Sequence, residues 1–130
     1  MAVQMAAQKD QVDATLQVLL SNMHSEIVGA ACVSMDGIVF SAHFAPGINI
    51  DRVGAVAATT MGVTKRVGHE LRIGSAEEVI LRAPEGLFMV MPVGNHYLLA
   101  VCMGRNANMG LVRLQVKDAA QAIAEVLGAA

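Results

Sequence analysis

The segment GRNANMGLVRLQV, residues 104–116, has a composition that could suit a phosphate-binding loop: two glycines, two asparagines, two arginines and then helix-forming residues. A P-loop, however, needs a Gly-Lys pair followed by Ser or Thr, and a dinucleotide loop needs three closely spaced glycines. Neither pattern is present. We therefore interpret the segment as a helix start with Asn106 or Asn108 as its N-cap. An anion bound at that helix start is the weaker alternative.

Nucleophilic catalysis would need a nucleophile beside a base and a group that orients the base. Ser41 and His43 would share one face of a strand, but no carboxylate accompanies them in the sequence. The four histidines are scattered, and no GxSxG, HExxH or nucleotide-binding signature occurs. The sequence thus predicts no enzyme, no catalytic residue and no cofactor.

The two cysteines, Cys32 and Cys102, each lie in an apolar run typical of a strand. There is no CxxC motif, and no histidine lies at ligand spacing from either. We expect two buried, reduced thiols that act as small hydrophobic side chains, and no metal site.

The composition is unusually apolar for a chain of 130 residues, with 55% hydrophobic and only 15% charged residues. One domain of this size, spanning 1–130 with its core at about 10–127, has little interior for so much apolar surface. Either a membrane or another chain should cover the excess. Residues 87–104 lack any Asp, Glu, Lys or Arg, but Pro92 and a Gly94-Asn95 turn favour two buried strands over a membrane-spanning helix.

The net charge of −2 and the absence of a basic block give no electrostatic basis for nucleic-acid binding. The first ten residues, MAVQMAAQKD, lack the basic and apolar regions of a signal peptide. We therefore expect a cytoplasmic protein without membrane insertion.

The periodicity of apolar residues predicts the element order α-β-β-α-β-β-β-α. The central helix should run over 51–71 after an Asn49 or Asp51 cap, and Asp36-Gly37 should form a type I′ turn in the first hairpin. The expected bounds are helices at 8–23, 51–71 and 109–127, strands at 27–35, 38–42, 76–83, 87–93 and 97–103, and a loop at 43–49. The core-facing stripe predicted for the central helix is Val53, Val56, Ala57, Thr60, Thr64, Val67 and Leu71.

Several segments together resemble roadblock-type dynein light-chain domains. NANMGLVRLQV (106–116) is similar to the Asn-x-Gly-x-x-Arg helix start of that family, and YLLAVCM and EEVILRAPEGLFMVMPVG are similar to its meander. GAACVSMDGIVFSA (29–42) resembles its first hairpin. The resemblance covers about residues 10–127 and is nearest to the bacterial and archaeal members, which are similar to the gliding-motility regulator of a Ras-like GTPase.

The resemblance implies an α+β fold of the roadblock and profilin type: a five-stranded antiparallel sheet with one long helix on one face and two terminal helices on the other. It also implies a homodimer, formed by the edge strand before the Pro84-Glu85-Gly86 turn and by the central helix. The dimer would bind a small Ras-like GTPase as a scaffold or as a stimulator of GTP hydrolysis.

Small residues recur along the central helix at every fourth position, and each helical glycine costs about 1 kcal/mol relative to alanine. Close approach of a second helix would explain them, and so would tight packing on the chain's own sheet. The strand at 76–83 would be largely covered on both faces, which favours pairing with its own copy. The predicted dimer interface is Gly54, Ala55, Ala58, Gly62, Glu78, Val79, Ile80, Leu81 and Arg82.

The central helix also carries the densest cationic cluster of the chain, namely Arg52, Lys65, Arg66, His69 and Arg72. It can be a contact surface for an acidic partner such as a GTPase, or only a solvated helix end whose cations suit the helix dipole. No arginine is predicted to have a catalytic role. A small-ligand sensor or self-assembly module of the same fold is the alternative function, because the nine methionines would suit an adaptable pocket.

Overall fold

The computed structural model describes residues 2–128 and has the eight elements in the predicted order. The first helix begins six residues earlier than the apolar stripe indicates. The elements are α1 (Ala2–Asn22), β1 (Ile27–Ser34), β2 (Val39–Phe44), α2 (Ile50–Glu70), β3 (Val79–Ala83), β4 (Gly86–Val93), β5 (Tyr97–Met103) and α3 (Met109–Leu127).

The five strands form one antiparallel sheet in the order β2-β1-β5-β4-β3, so that β2 and β3 are its edges. The uncharged run at 87–104 is the β4–β5 hairpin, as the Gly94-Asn95 signal predicts. Among residues 2–128 no helix is long and apolar enough to cross a membrane.

Helices cover both faces of the sheet, which confirms the predicted layers. On one face α1 and α3 pack against each other and enclose the larger core, which includes Leu16, Met89 and Ile123. On the other face α2 alone covers a smaller core built around Met61 and Leu98. Ile80 of β3 packs on the first core and its neighbour Val79 on the second, because alternate side chains of a strand point to opposite faces.

Asparagine caps begin both later helices. The side-chain oxygen of Asn49 accepts a hydrogen bond from the Arg52 amide at 3.2 Å, and that of Asn108 accepts one from the Leu111 amide at 3.2 Å. Each cap satisfies an amide that has no partner within its own helix. The segment 104–116 is therefore a helix start, with Asn108 rather than Asn106 as the cap.

The β1–β2 and β4–β5 hairpin loops both have three residues, which for the first is one more than predicted. In the first, the Gly37 amide bonds the Ser34 carbonyl at 3.0 Å, and Ser34 pairs with Ile38 across a three-residue loop. A type I′ turn needs positive φ at both central residues, and only Gly37 has it, with φ 88°. The predicted type I′ turn is thus wrong. The β4–β5 loop likewise has three residues, 94–96, because Val93 pairs with Tyr97.

Two strand bounds also differ from the prediction. Strand β2 continues through His43 and Phe44, which were expected in a loop, because both residues pair with β1. Strand β3 begins at Val79 rather than at residue 76, since its pairing with β4 starts there. Glu78, directly before it, is bound by Arg113 of α3.

Candidate functional site: an exposed helix face, an edge strand and a cationic cleft

The orientation of α2 on the sheet is the main departure from the sequence prediction. Its buried residues are Gly54, Ala57, Met61 and Gly68. Of the stripe predicted to face the core, Ala57 is buried and Val53 is partly buried against the smaller core. The assignment of the other large members is wrong: 54% of Val56, 46% of Val67 and 64% of Leu71 are exposed.

Gly54 explains this orientation. A Cβ atom at this position would lie 2.5 Å from the Gly37 carbonyl oxygen and 2.8 Å from Val39 Cγ2. The helix can therefore approach the β1–β2 turn only with a glycine here. The same turn lies against Ala55 and Ala58, since a Cβ atom on Gly37 would be 3.4 Å from Ala55 Cα and 3.6 Å from Ala58 Cβ.

Most of the small residues of α2 therefore pack against the chain's own sheet and hairpin. This is the alternative to a partner helix that the sequence left open. Gly54, Ala55 and Ala58 contact the chain's own hairpin, so their size does not by itself indicate a partner helix. Gly62 differs from them: it is exposed, and a Cβ atom there would meet nothing within 4 Å.

The open face of α2 carries an apolar row instead. Val56, Val63 and Val67 follow one another at seven- and four-residue spacing, so they lie on one side of the helix. All three are exposed, Val63 by 61%. We call these three residues the valine face. Exposed apolar side chains aligned on one side of a helix make this face a candidate contact site.

Strand β3 is an edge, as predicted, and its outer side has no neighbour among the described residues. Leu81 is 60% exposed and Arg82 is exposed as well, so both side chains are available for contact. The Glu78 carboxylate is not free, because Arg113 binds it through Nε and Nη2 at 2.7–2.9 Å. The hydrogen bonds and the charge of Glu78 raise the pKa of the Arg113 guanidinium.

The five predicted partner-binding cations do not form one patch. Arg52 lies in the first turn of α2 and is separated from Lys65 by about 20 Å at 1.5 Å per residue. Arg66 is exposed beside Glu70, 3.9 Å from its carboxylate. Only Lys65, His69 and Arg72 come together, around one cavity.

These three side chains line a cleft of about 840 Å³ between the end of α2 and the loops at one end of the sheet. We call it the cationic cleft. Its floor and walls include Met35 from the β1–β2 loop and Asn95 from the β4–β5 loop. The other lining residues are Gly68, Gly74, Ser75, Ala76, Pro92 and Gly94.

Arg72 has an unusual backbone conformation at the mouth of this cleft. The Arg72 amide bonds the His69 carbonyl at 3.2 Å, and the Ile73 amide bonds the Gly68 carbonyl at 3.0 Å. These two bonds define a Schellman helix end, in which the residue after the C-cap adopts the left-handed conformation and is usually glycine. Here it is an arginine with φ 57°.

A polar cluster that the sequence did not reveal connects α1 to β2. Ser41, which is only 3% exposed, donates a hydrogen bond to Asp13 of α1. His43 Nε2 lies 3.9 Å from the same carboxylate, too far for a hydrogen bond. Ser41 and His43 are thus accompanied by a carboxylate, contrary to the sequence analysis. Because the serine donates to the carboxylate rather than to a histidine base, the cluster is a structural link between two elements.

The pKa of Asp13 is affected in two opposing ways. Burial alone would raise it, but the hydrogen bonds from Ser41 and Lys9, with the charges of Lys9 and His43, outweigh burial and lower it. A carboxyl whose folded pKa lies below its unfolded value, about 3.9, stabilises the fold above that pH. The contribution is lost as the pH falls through the folded pKa.

We therefore expect Asp13→Asn to reduce the free energy of unfolding by about 1–2 kcal/mol at pH 7 and by progressively less below pH about 4. Urea denaturation of both proteins between neutral pH and acid would measure the difference. Asp10→Asn, three positions earlier in the same helix and exposed, is the control and should have little effect. A deficit that stays constant down to acid pH would contradict this role of the Asp13 charge.

The cysteines lie on different faces of the sheet. Cys32 is part of the larger core, and burial raises the pKa of its thiol to about 12. Cys102 is partly exposed in a groove on the α2 face, and burial raises its pKa as well. The expectation of two buried thiols is therefore fulfilled for Cys32 and only in part for Cys102. No group of three or more potential metal ligands occurs within residues 2–128.

The fold and these surfaces define a class of protein: a layered α+β domain with an unpaired edge strand and an exposed apolar helix face. The particular family follows from comparison with known proteins. The Roadblock/LC7 domain model matches residues 13–102, and the chain belongs to this family. The resemblance noted in the sequence is thereby confirmed.

Individual relatives agree with this assignment. The uncharacterized protein MJ1340 of Methanocaldococcus jannaschii is 29% identical over 108 residues, which are 82% of this chain and 94% of the relative. The solved Roadblock/LC7 domain from Streptomyces avermitilis has a TM-score of 0.83 at 22% identity and covers 88% of this chain and 96% of that one. Myxococcus xanthus MglB has a TM-score of 0.86 at 15% identity and covers 92% and 90%.

Proposed function

We propose that the protein is a homodimer in which β3 pairs with its own copy and the valine face of α2 packs against the partner protomer. The free edge of β3 supports this, since an unguarded edge strand presents unpaired amides and carbonyls. The exposed valines support it too, because burial of each would contribute roughly 1 kcal/mol or more. Leu81 and Arg82 are the β3 side chains available to the interface.

We further propose that this dimer binds a small Ras-like GTPase and acts as a regulator or scaffold rather than as an enzyme. Membership of the Roadblock/LC7 family and the structural similarity to Myxococcus xanthus MglB support the proposal. The single observation that carries it is the coincidence of that fold with two exposed arginines on α2, Arg52 and Arg66. A regulator of this kind would reposition the catalytic groups of the GTPase, so it needs no catalytic residue of its own.

Arg52 and Arg66 are the proposed contacts for an acidic surface of the GTPase. Both are exposed on α2 and neither lines the cationic cleft. The Arg66–Glu70 pair is exposed and long, so it would contribute little and would not keep Arg66 from a partner. The alternative function, a ligand sensor, has its structural support in the cleft rather than on this face.

Affinity capture from the host lysate, with GDP in one arm and a non-hydrolysable GTP analogue in the other, tests the GTPase proposal. We expect a small GTPase enriched with the analogue, and at least a tenfold loss of binding in the Arg66→Glu variant because a rim charge is reversed. Lys117→Glu, an exposed charge on α3 on the other face of the sheet, is the control and should leave GTPase binding intact. Recovery of no GTPase in either arm would overturn the proposal. Hydrolysis rates with the purified pair would then separate a scaffold from a stimulator.

A further inference from the structure

The positive charges of the cationic cleft have no carboxylate among the residues that line it. Lys65, His69 and Arg72 line it, and no Asp or Glu is among its lining residues. Within the described part of the chain, neither Lys65 nor Arg72 has a carboxylate within 4.0 Å. The nearest acidic residue in the sequence, Glu70, instead lies beside Arg66, which is outside the cleft.

The backbone conformation at Arg72 is unfavourable for an arginine. Left-handed backbone is costly for a residue with a Cβ atom, and glycine is the usual residue after a C-cap. Arginine at this position lowers stability relative to glycine. A strained residue at the mouth of a cavity is an observation from which function can be inferred.

The wall that holds Arg72 is tightly built. A Cβ atom at Gly68 would lie 2.2 Å from the Gly74 carbonyl oxygen, so the segment after Arg72 folds directly onto the helix. On the other side, Lys65 Nζ lies 3.7 Å from Met35 Sδ, which places its ammonium group beside the β1–β2 loop. The two permanent charges are thus carried by the last part of α2 and the turn after it, and Lys65 also contacts the β1–β2 loop.

We propose that the cationic cleft binds a small molecule that carries a diphosphate group. Arg72 offers planar, paired N–H donors that match phosphate oxygens, and Lys65 adds a second full charge. Ser75 and Asn95 line the same cleft and can donate neutral hydrogen bonds. A ligand with two or more negative charges matches this set better than a single carboxylate does.

The remaining part of the ligand is organic. The volume of about 840 Å³ lies within the usual range for small-molecule sites and exceeds what one diphosphate fills. Met35, Ala76 and Pro92 give the cleft an apolar side. This inference goes beyond the proposed function, because the site lies on the protein itself and requires no GTPase.

Isothermal titration of the full chain with inorganic pyrophosphate and with ADP, without any GTPase, tests the proposal at fixed ionic strength. We expect both ligands to bind, and we expect Arg72→Gly to lower the affinity for each at least tenfold. Glycine suits the left-handed backbone, so the variant should melt at a higher temperature than the parent, and loss of binding cannot then result from unfolding. Lys65→Gln should also lower the affinity for both ligands.

Arg66→Gln is the matched control, because it removes an equal charge from the same helix outside the cleft. It should leave the affinity within about twofold, because an exposed charge outside the cleft is screened by solvent and salt. Equal losses in Arg66→Gln and Arg72→Gly would overturn the proposal in favour of general charge attraction. If neither pyrophosphate nor ADP binds at about 1 mM, the proposal is overturned as well.

Discussion

Gly54→Ala is expected to destabilise the folded protein by about 2 kcal/mol, although alanine is the better helix former. The new methyl group would lie 2.5 Å from the Gly37 carbonyl oxygen, which is backbone and cannot rotate away. Either α2 or the β1–β2 turn must shift, and overpacking of this kind costs roughly 1–3 kcal/mol or more. The gain of about 1 kcal/mol in helix propensity offsets only part of this cost. Chemical denaturation measures the net change.

Gly104→Ala is the control for this substitution, since a Cβ atom there would meet nothing within 4 Å and the residue has no positive φ. It should change stability by less than about 0.5 kcal/mol. The pair of variants also separates the two explanations of the small residues in α2. If Gly54 served only a partner helix, its alanine variant would lose the dimer while the protomer kept its stability, which would contradict the contact described above.

Val63→Glu is expected to convert the proposed dimer to monomer, with a rise of about 100-fold or more in the dissociation constant. The carboxylate would be placed in the centre of the valine face, where burial of an unpaired charge is unfavourable. Because 61% of Val63 is exposed in the protomer, the fold itself should tolerate the change. Light scattering or sedimentation across a concentration series would measure association, and circular dichroism would verify the helix content.

Val18→Glu provides the matched control. Val18 lies in a helix of the same length and is 58% exposed, but it is on α1, on the other face of the sheet. It should leave association unchanged. A Val63→Glu variant that remains as dimeric as the parent would refute the interface, and a parent protein that is monomeric at micromolar concentration would refute the dimer itself.

The sequence predicted those features that local patterns determine. The asparagine caps follow from a side chain bonding an amide three residues away, although the sequence left Asp51 and Asn106 as alternatives to Asn49 and Asn108. The Pro84-Glu85-Gly86 turn follows from turn chemistry, and in the structure Gly86 already pairs with Ala83. Val56 and Val67 of the valine face were misassigned to the core because hydrophobicity alone places valines inside, whereas Val63 was not part of the predicted stripe. Burial on α2 is decided instead by the approach of Gly37, a contact between distant parts of the chain.

Long-range pairing also accounts for what the sequence missed in the candidate site. Asp13 lies 28 positions before Ser41, and Arg113 lies 35 positions after Glu78, so no local motif links either pair. The cationic cleft forms because a helix end and two sheet loops meet, although three of its cations were recognised from their density along α2. Arg72 gave no local sign of its left-handed backbone, since glycine is the usual residue there.

The unequal size of the two cores has a consequence for how the molecule opens. Nineteen buried hydrophobic residues of the described chain form the core on the α1–α3 side, whereas only seven form the core between α2 and the sheet, three of them alanines. Helix α2 is therefore stabilised on the sheet by less buried apolar contact than α1 and α3. We expect it to be the element that exchanges its amide hydrogens first through partial unfolding. A second protomer or a ligand that binds α2 would stabilise the half of the domain that unfolds most readily. We therefore expect the rate of proteolysis to fall as α2 becomes occupied.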